Sequence, residues 1–306
     1  MPIEILRTNR RNFLATSLAT GAWCAWPNLA SAAPTREAHR FALLADTHIH
    51  AAPTFESRGV NMTNLLRTAV SALVAREQPF AAAMILGDCA YLDGQTDDYK
   101  QLGKELAPLL EKDWAVHLAL GNHDHREHCL AAFPGDKDNL YAKVERRVAV
   151  VPAERGNWFL LDSLDKVNNT PGKLGETQLA WLAEALDRHA DKPALIGVHH
   201  NPLSDVIAMA GKPAGILDTE AFFKVIDSRR HVKAVFFGHT HAWSVVEHAG
   251  IHLVNLPPVA YTFNKDKPNG WVECELQADR AILTMHCHNP ERPEHGKPLN
   301  LVYRKG

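Results

Sequence analysis

The chain has 306 residues, 46% of them hydrophobic and 22% charged, a composition that suits a globular protein with a sizeable core and excludes a disordered one. Its 33 basic residues are balanced by 35 acidic ones, so charge gives no footing for binding large nucleic acids. The 18 histidines are the unusual feature, because imidazole is the commonest metal ligand, although most are expected to carry no chemistry.

Residues 1–33 read as an address. Arg10 and Arg11 followed by Asn12, Phe13 and Leu14 resemble the twin-arginine export motif, with an apolar, Ala-rich stretch to Ala30 and a small-residue cleavage site at Ala30-Ser31-Ala32. This implies the twin-arginine export machinery as a partner, and a mildly acidic mature chain in the periplasm or outside the cell. No later segment has the ~20 apolar residues of a membrane helix, so no stable membrane span is expected in the mature chain. Cys24 leaves with the signal. Cys89, Cys129, Cys274 and Cys287 remain, and in an oxidising compartment Cys274 with Cys287, on two predicted neighbouring strands, is the pair to expect, unless both are small buried hydrophobes.

From residue 38 to 288 the pattern is that of one α/β domain. Phe41 to Ala45 is a buried strand, and Asn61 or Thr63 caps a helix running to about Glu77. Ala82 to Leu86 is a strand, Asp97 to Lys112 an amphipathic helix, and Val116 to Leu120 a third strand. The stretch 130–157 is irregular. Trp158 to Leu161 is a strand, Glu176 to His189 a helix, and Leu195 to Val198 and Val232 to Phe237 are strands with a helix at Thr219 to Ile226 between them. After Gly238 come strands at Trp243–Glu247, Ile251–Leu256, Trp271–Leu276 and Ala281–His286, joined by short turns as antiparallel hairpins. The Pro-rich end, 289–306, reads as a surface tail.

Five short signals fall at ends of these strands, where α/β sheets place ligand sites. They are Asp46-Thr47-His48, Gly87-Asp88, Gly121-Asn122-His123-Asp124, His199, and Gly238-His239-Thr240-His241. If the backbone is extended, Asp46 and His48 point to the same side and can grip one cation, and His239 and His241 repeat the device. Asp88 offers two oxygens, enough to bridge two cations. The donor set of imidazole, carboxylate and amide suits Zn, Mn or Fe, and contains no thiolate. Two such ions ~3.5–4 Å apart can clamp the attacking and leaving oxygens of a displacement at phosphorus and generate hydroxide near neutral pH.

The ordered set resembles the calcineurin-like metallophosphoesterases over residues 46–241. The resemblance implies a fold of two mixed β-sheets sandwiched between helices (αββα), and two divalent or mixed-valence metal ions. One would be held by Asp46, His48, Asp88 and His241, the other by Asp88, Asn122, His199 and His239, with His199 rather than the adjacent His200 as ligand. His123 would face the substrate phosphate as acid or transition-state stabiliser, and Asp124 would orient its imidazole. Gly121 to Arg126 with Ala131-Ala132-Phe133, and the Gly175–Leu182 helix leading to His199-His200-Asn201-Pro202, resemble the bacterial class III cyclic-nucleotide phosphodiesterase branch. The implied substrate is a small phosphoester, diester or monoester. Alternatives are a purple-acid-phosphatase-like monoesterase, since Gly87-Asp88-Cys89-Ala90-Tyr91 matches that group's Gly-Asp-x-x-Tyr, a small-substrate nuclease, or a metal-free binding scaffold. His48, which purple acid phosphatases lack, makes Tyr91 a pocket wall rather than a ligand. Arg126 is either a phosphate contact or an exposed helix-start residue.

Overall fold

A computed structural model describes residues 37–134, 145–202 and 213–305. The export signal at 1–33, the cleavage site, Cys24 and Gly135 lie outside the described residues. Two six-stranded mixed sheets form the centre. The first contains β1 (Glu37–Leu44), β4 (Phe80–Leu86), β5 (Val116–Ala119), β12 (Gly270–Leu276), β13 (Arg280–Cys287) and β14 (Pro298–Val302), in the order β14-β13-β12-β1-β4-β5. The second contains β6 (Ala149–Pro152), β7 (Asn157–Leu160), β8 (Ala194–Gly197), β9 (Val232–Phe237), β10 (Ser244–His248) and β11 (Ile251–Asn255), in the order β10-β11-β9-β8-β7-β6. A small hairpin, β2 (Glu56–Ser57) with β3 (Val60–Asn61), stands apart from both.

The near-continuous apolar runs of the central strands follow from burial on both faces. Along β1, Phe41 and Leu43 pack between the sheets, while Ala42 and Leu44 face helices. Met84, Leu86, Trp158, Leu160, Leu195 and Phe236 join the inter-sheet layer. Outside the first sheet lie α1 (Met62–Val74) and α2 (Thr96–Glu111), which bury Leu66, Leu73, Leu102 and Leu106. Outside the second lie α4 (Glu176–Arg188) and α5 (Thr219–Ile226), with Leu182, Leu186, Phe222 and Ile226 inward. The layers are therefore helix, sheet, sheet, helix, as the resemblance implied. Among the described residues no helix is long and apolar enough to cross a membrane.

Asn61 caps α1 as its sequence signal predicts, accepting a hydrogen bond from the Asn64 amide at 2.8 Å. Four features differ from the sequence-based expectations. The end of the chain is not a loose tail, because β14 pairs antiparallel with β13 and buries Leu301. The irregular stretch 130–157 holds the edge strand β6 and the last turn of a short helix, α3 (Arg126–Ala132). The hairpin β2–β3 has strands too short for any periodic signal. All four described cysteines are free and buried: Cys274 lies opposite Leu283 and Cys287 opposite Gly270, so the expected pair are not cross-strand neighbours.

Candidate metal centre

The loops that follow β1, β4, β5, β8 and β9 converge at one end of the two sheets and bring the five signals together. Among the described residues, two groups of side chains could hold a metal ion: Asp46, His48, Asp88 and His241, and His199, His200 and His239. The first group is buried throughout, and the second reaches partial exposure at His239.

The local backbone is not the extended chain expected of Asp46-x-His48. Asp46, His48, Asp88, His239 and His241 all take positive φ, between 47° and 69°. Left-handed backbone at a non-glycine residue costs about 1–3 kcal/mol and persists where surrounding bonds over-determine it. Those bonds are present: Asp46 N–H donates to Gly87 O at 3.1 Å, His48 N–H to Asp88 O at 2.9 Å, and His239 N–H to the Asp46 carboxylate at 3.1 Å. The paired side chains converge through these kinks, not through strand alternation. Gly121 is required for a different reason, since a Cβ there would stand 2.2 Å from Asp88 Oδ1 and 2.5 Å from Asp88 N.

In the first cluster His48 Nε2 and His241 Nε2 are 3.1 Å apart, His241 Nε2 is 3.4 Å from Asp46 Oδ1, and His48 Nε2 is 3.8 Å from Asp88 Oδ2. The other carboxylate oxygen of Asp88, Oδ1, lies 3.3 Å from His199 Nε2 in the second cluster. Carbonyl partners fix the tautomers of three rings, because a carbonyl can only accept. His241 Nδ1 donates to Tyr261 O, His199 Nδ1 to Leu86 O at 2.9 Å, and His123 Nδ1 to Leu92 O at 2.7 Å. Ligating imidazoles are typically held in this way, which leaves Nε2 with a lone pair.

The donors fit metal ions on independent grounds. Asn122 Oδ1, His199 Nε2 and His200 Nε2 are buried without a hydrogen-bond partner. Such atoms are costly unless something satisfies them. Burial lowers the pKa of His48 well below its usual value, that of His239 to about 3 and that of His241 to about 4, which keeps their lone pairs available. Burial raises Asp46 out of the ordinary carboxylate range; it opposes ionisation of Asp88 too, but His199, His123 and His48 outweigh it and hold Asp88 well below that range. Burial also opposes the His199 cation, yet the facing Asp88 carries its pKa up to about 9. A proton on His199 thus occupies a negative well that a cation would fill.

Asn122 and His123 follow β5, and the His123 amide donates to Asp88 Oδ1 at 2.9 Å. The expectation that Asp124 orients His123 is corrected. The Asp124 carboxylate accepts from the amides of Cys89, Ala90 and Gly121 and from the Tyr99 hydroxyl, so it ties the loops after β4 and β5 together from beneath. The Leu92 carbonyl holds His123 instead. Tyr91 packs on Phe55 and His50, with its hydroxyl 3.4 Å from Ser57 Oγ, as a pocket wall would. Arg126 is neither a phosphate contact nor an exposed helix start, because it grips the fully buried Asp162 with Nε at 2.7 Å and Nη2 at 3.1 Å. His200, left without a role by its sequence position, lies with its ring 4.5 Å from that of His239 and tilted by 47°, and its Nδ1 is 2.7 Å from Ser163 Oγ. No sequence signal separates it from an ordinary core histidine.

The calcineurin-like phosphoesterase family profile matches residues 39–243. The chain is 28% identical over 242 residues to a 3′,5′-cyclic-nucleotide phosphodiesterase of Nostoc, covering 79% of this chain and 86% of that protein. It is 32% identical over 268 residues to a probable cyclic nucleotide phosphodiesterase of Rhodopseudomonas palustris, covering 80% and 90%. In structure it is similar to a dimetal phosphatase from Danio rerio with a TM-score of 0.67 at 20% identity, covering 88% of this chain and all of that one, a likeness that speaks for the fold alone.

Proposed function

The chain belongs to the calcineurin-like phosphoesterase family, alongside its bacterial cyclic-nucleotide phosphodiesterases, and from that premise we propose an exported two-metal phosphodiesterase of small phosphoesters. That it is a metal-dependent phosphoester hydrolase follows from the family; the ion count, export and substrate are the proposal. The observation that carries it is Asp88, whose two oxygens face different imidazole groups and so can serve two ions at once. Asp46, His48, Asp88 and His241 would hold one, and Asp88, Asn122, His199 and His239 the other. When bound, the ions supply positive charge to phosphoryl oxygens and acidify water at the site.

The protein's own groups do the rest. His123 keeps Nδ1–H on Leu92 O, so Nε2 is the nitrogen left for the substrate, and in the imidazolium form it gives its proton to the departing ester oxygen. The Asp88 contact to the His123 amide fixes that residue's backbone relative to the shared carboxylate. Asp124 holds the two loops rigid and moves no proton.

The twin-arginine-type signal supports export, which puts cytoplasmic cyclic nucleotides out of reach and favours scavenging of environmental phosphodiesters, cyclic nucleotides among them. The test is turnover of bis-p-nitrophenyl phosphate, 3′,5′-cyclic AMP and p-nitrophenyl phosphate with and without added Mn. Metal-dependent cleavage of a diester is expected, and no metal-dependent turnover of any of them sinks the proposal. Cell fractionation and N-terminal sequencing of the mature chain check export, for which a start near Pro34 is expected. A visible charge-transfer band in the purified protein would instead favour the purple-acid-phosphatase-like reading through Tyr91.

A further inference from the structure

One side of the metal centre is lined by aromatic and apolar groups that the chemistry above does not use. Tyr261 stacks 5.1 Å from His48 and 5.0 Å from His241, and Phe263 stacks 4.3 Å from His241 while remaining 53% exposed. Phe263 thus presents an aromatic surface half open to water directly beside the imidazole of His241. Leu92, whose carbonyl holds His123, is 44% exposed and sits in left-handed backbone at φ 52°.

Over these rings lies Arg58, at the tip of the β2–β3 hairpin. Its guanidinium carbon is 4.9 Å from the Phe263 ring and 5.3 Å from the Tyr261 ring. The two turn residues Arg58 and Gly59 both have positive φ, 53° and 80°, the tight turn that joins two-residue hairpins. The hairpin is tied down at its base, where Asn61 Nδ2 donates to Pro53 O at 2.9 Å and Asn61 Oδ1 caps α1. Arg58 has no carboxylate partner among the described residues. Two contacts, 4.9 and 4.3 Å, thus link an unpaired planar cation to the ligand His241 through Phe263. Guanidinium and phenyl planes both stack on flat rings, and neither discriminates strongly among them.

We propose that Arg58 and Phe263 form the subsite for the organic half of the substrate, and that they select phosphodiesters carrying a planar aromatic ring, whether nucleobase or aryl. The proposal rests on the phosphoesterase reading. The ring lies against the Arg58–Phe263 platform while its phosphate reaches the clusters beside His241. Both are specificity-determining residues and neither touches the reacting atoms.

The experiment uses the metal-loaded full chain with Phe263→Ala and Arg58→Ala. The ratio of kcat/KM for bis-p-nitrophenyl phosphate or 3′,5′-cyclic AMP over that for a glycerol-based diester without a ring is compared with wild type. A fall in that ratio of about 5- to 100-fold, carried by KM, is expected, the range that loss of base–aromatic stacking produces. A fall with cyclic AMP alone assigns the subsite to nucleobases, and one with the aryl diester alone assigns it to aryl esters. A ratio that stays within about 2-fold for both overturns the proposal. If wild type cleaves no diester, the phosphodiesterase reading fails, and the subsite is then tested by calorimetry. Binding of AMP should exceed that of inorganic phosphate in wild type and lose that advantage in Phe263→Ala; equal affinities in wild type refute it.

Discussion

The two ligand clusters share a carboxylate and differ in almost everything else. The first, Asp46, His48, Asp88 and His241, is at most 4% exposed at every member and holds two carboxylates. The second, His199, His200 and His239, meets the Asp88 carboxylate through His199 Nε2 and is partly open to solvent at His239, and the family resemblance adds Asn122 to it. A buried site rich in anionic oxygen favours the harder, more highly charged ion, whereas imidazole and amide donors suit Mn or Zn. On the proposed two-ion function, the difference predicts unequal affinities, a tight ion in the buried cluster and a looser one nearer the solvent.

The comparison can be broken most decisively at the shared residue. Asp88→Ala should reduce turnover by about 10³-fold or more and lower the metal content of the purified protein, because both clusters lose an oxygen. Retention of two ions per chain by metal analysis would separate the clusters entirely. His123→Ala should slow turnover by about 10²–10⁴-fold, the range of a lost general acid, with metal content unchanged. Asn122→Ala should weaken only the looser ion, by about 10- to 100-fold in an ion titration. Equal weakening of both ions would mean that the clusters are not unequal.

A pH series sharpens the same contrast. In the metal-free protein the raised pKa of Asp46, driven first by burial, means that folding favours its protonated form. That contribution to stability is fully present below the unfolded value of 3.8 and is lost as pH rises through the folded value. A bound ion removes the penalty on the carboxylate. The gain in Tm on adding Mn should therefore be larger at pH 8 than at pH 6, by calorimetry on the two forms, with proton release on binding. His239 and His241, already neutral near pH 5, should add little to the slope. The smallest effect on the centre, though not on stability, is expected at Arg126. Arg126→Ala leaves Asp162 buried without its guanidinium and should cost about 3 kcal/mol in denaturant unfolding. Metal affinity should hardly change, whereas a selective rise in KM would return Arg126 to the substrate.

The ordered signals from Asp46 to His241 were legible because ligand chemistry restricts residue type, and the central strands because burial on both faces writes continuous apolar runs. Other features leave weaker marks. The strand β14 buries Leu301 within a Pro-rich stretch and has Leu299 and Val302 exposed, so its pattern resembles a tail. The family resemblance implied that Asp124 serves His123, but the carboxylate turns toward three amides and a phenol that only the assembled loops supply. His200 could not be distinguished from an ordinary core histidine until the loop after β9 brought His239 against it. Arg58 was silent for the same reason, since its rings come from residues 261 and 263.

The left-handed backbone at five candidate metal-ligand positions has a consequence for time as well as for energy. A ligand on a flexible loop can swing away and let its ion leave by successive detachments. Here Asp46, His48 and His239 sit on peptides tied by hydrogen bonds to a neighbouring loop, so their side chains cannot swing away with the backbone and stepwise release is slowed. Ions delivered to this centre should exchange with those in solution far more slowly than their affinities alone dictate, and the metal acquired first should persist through later changes in supply.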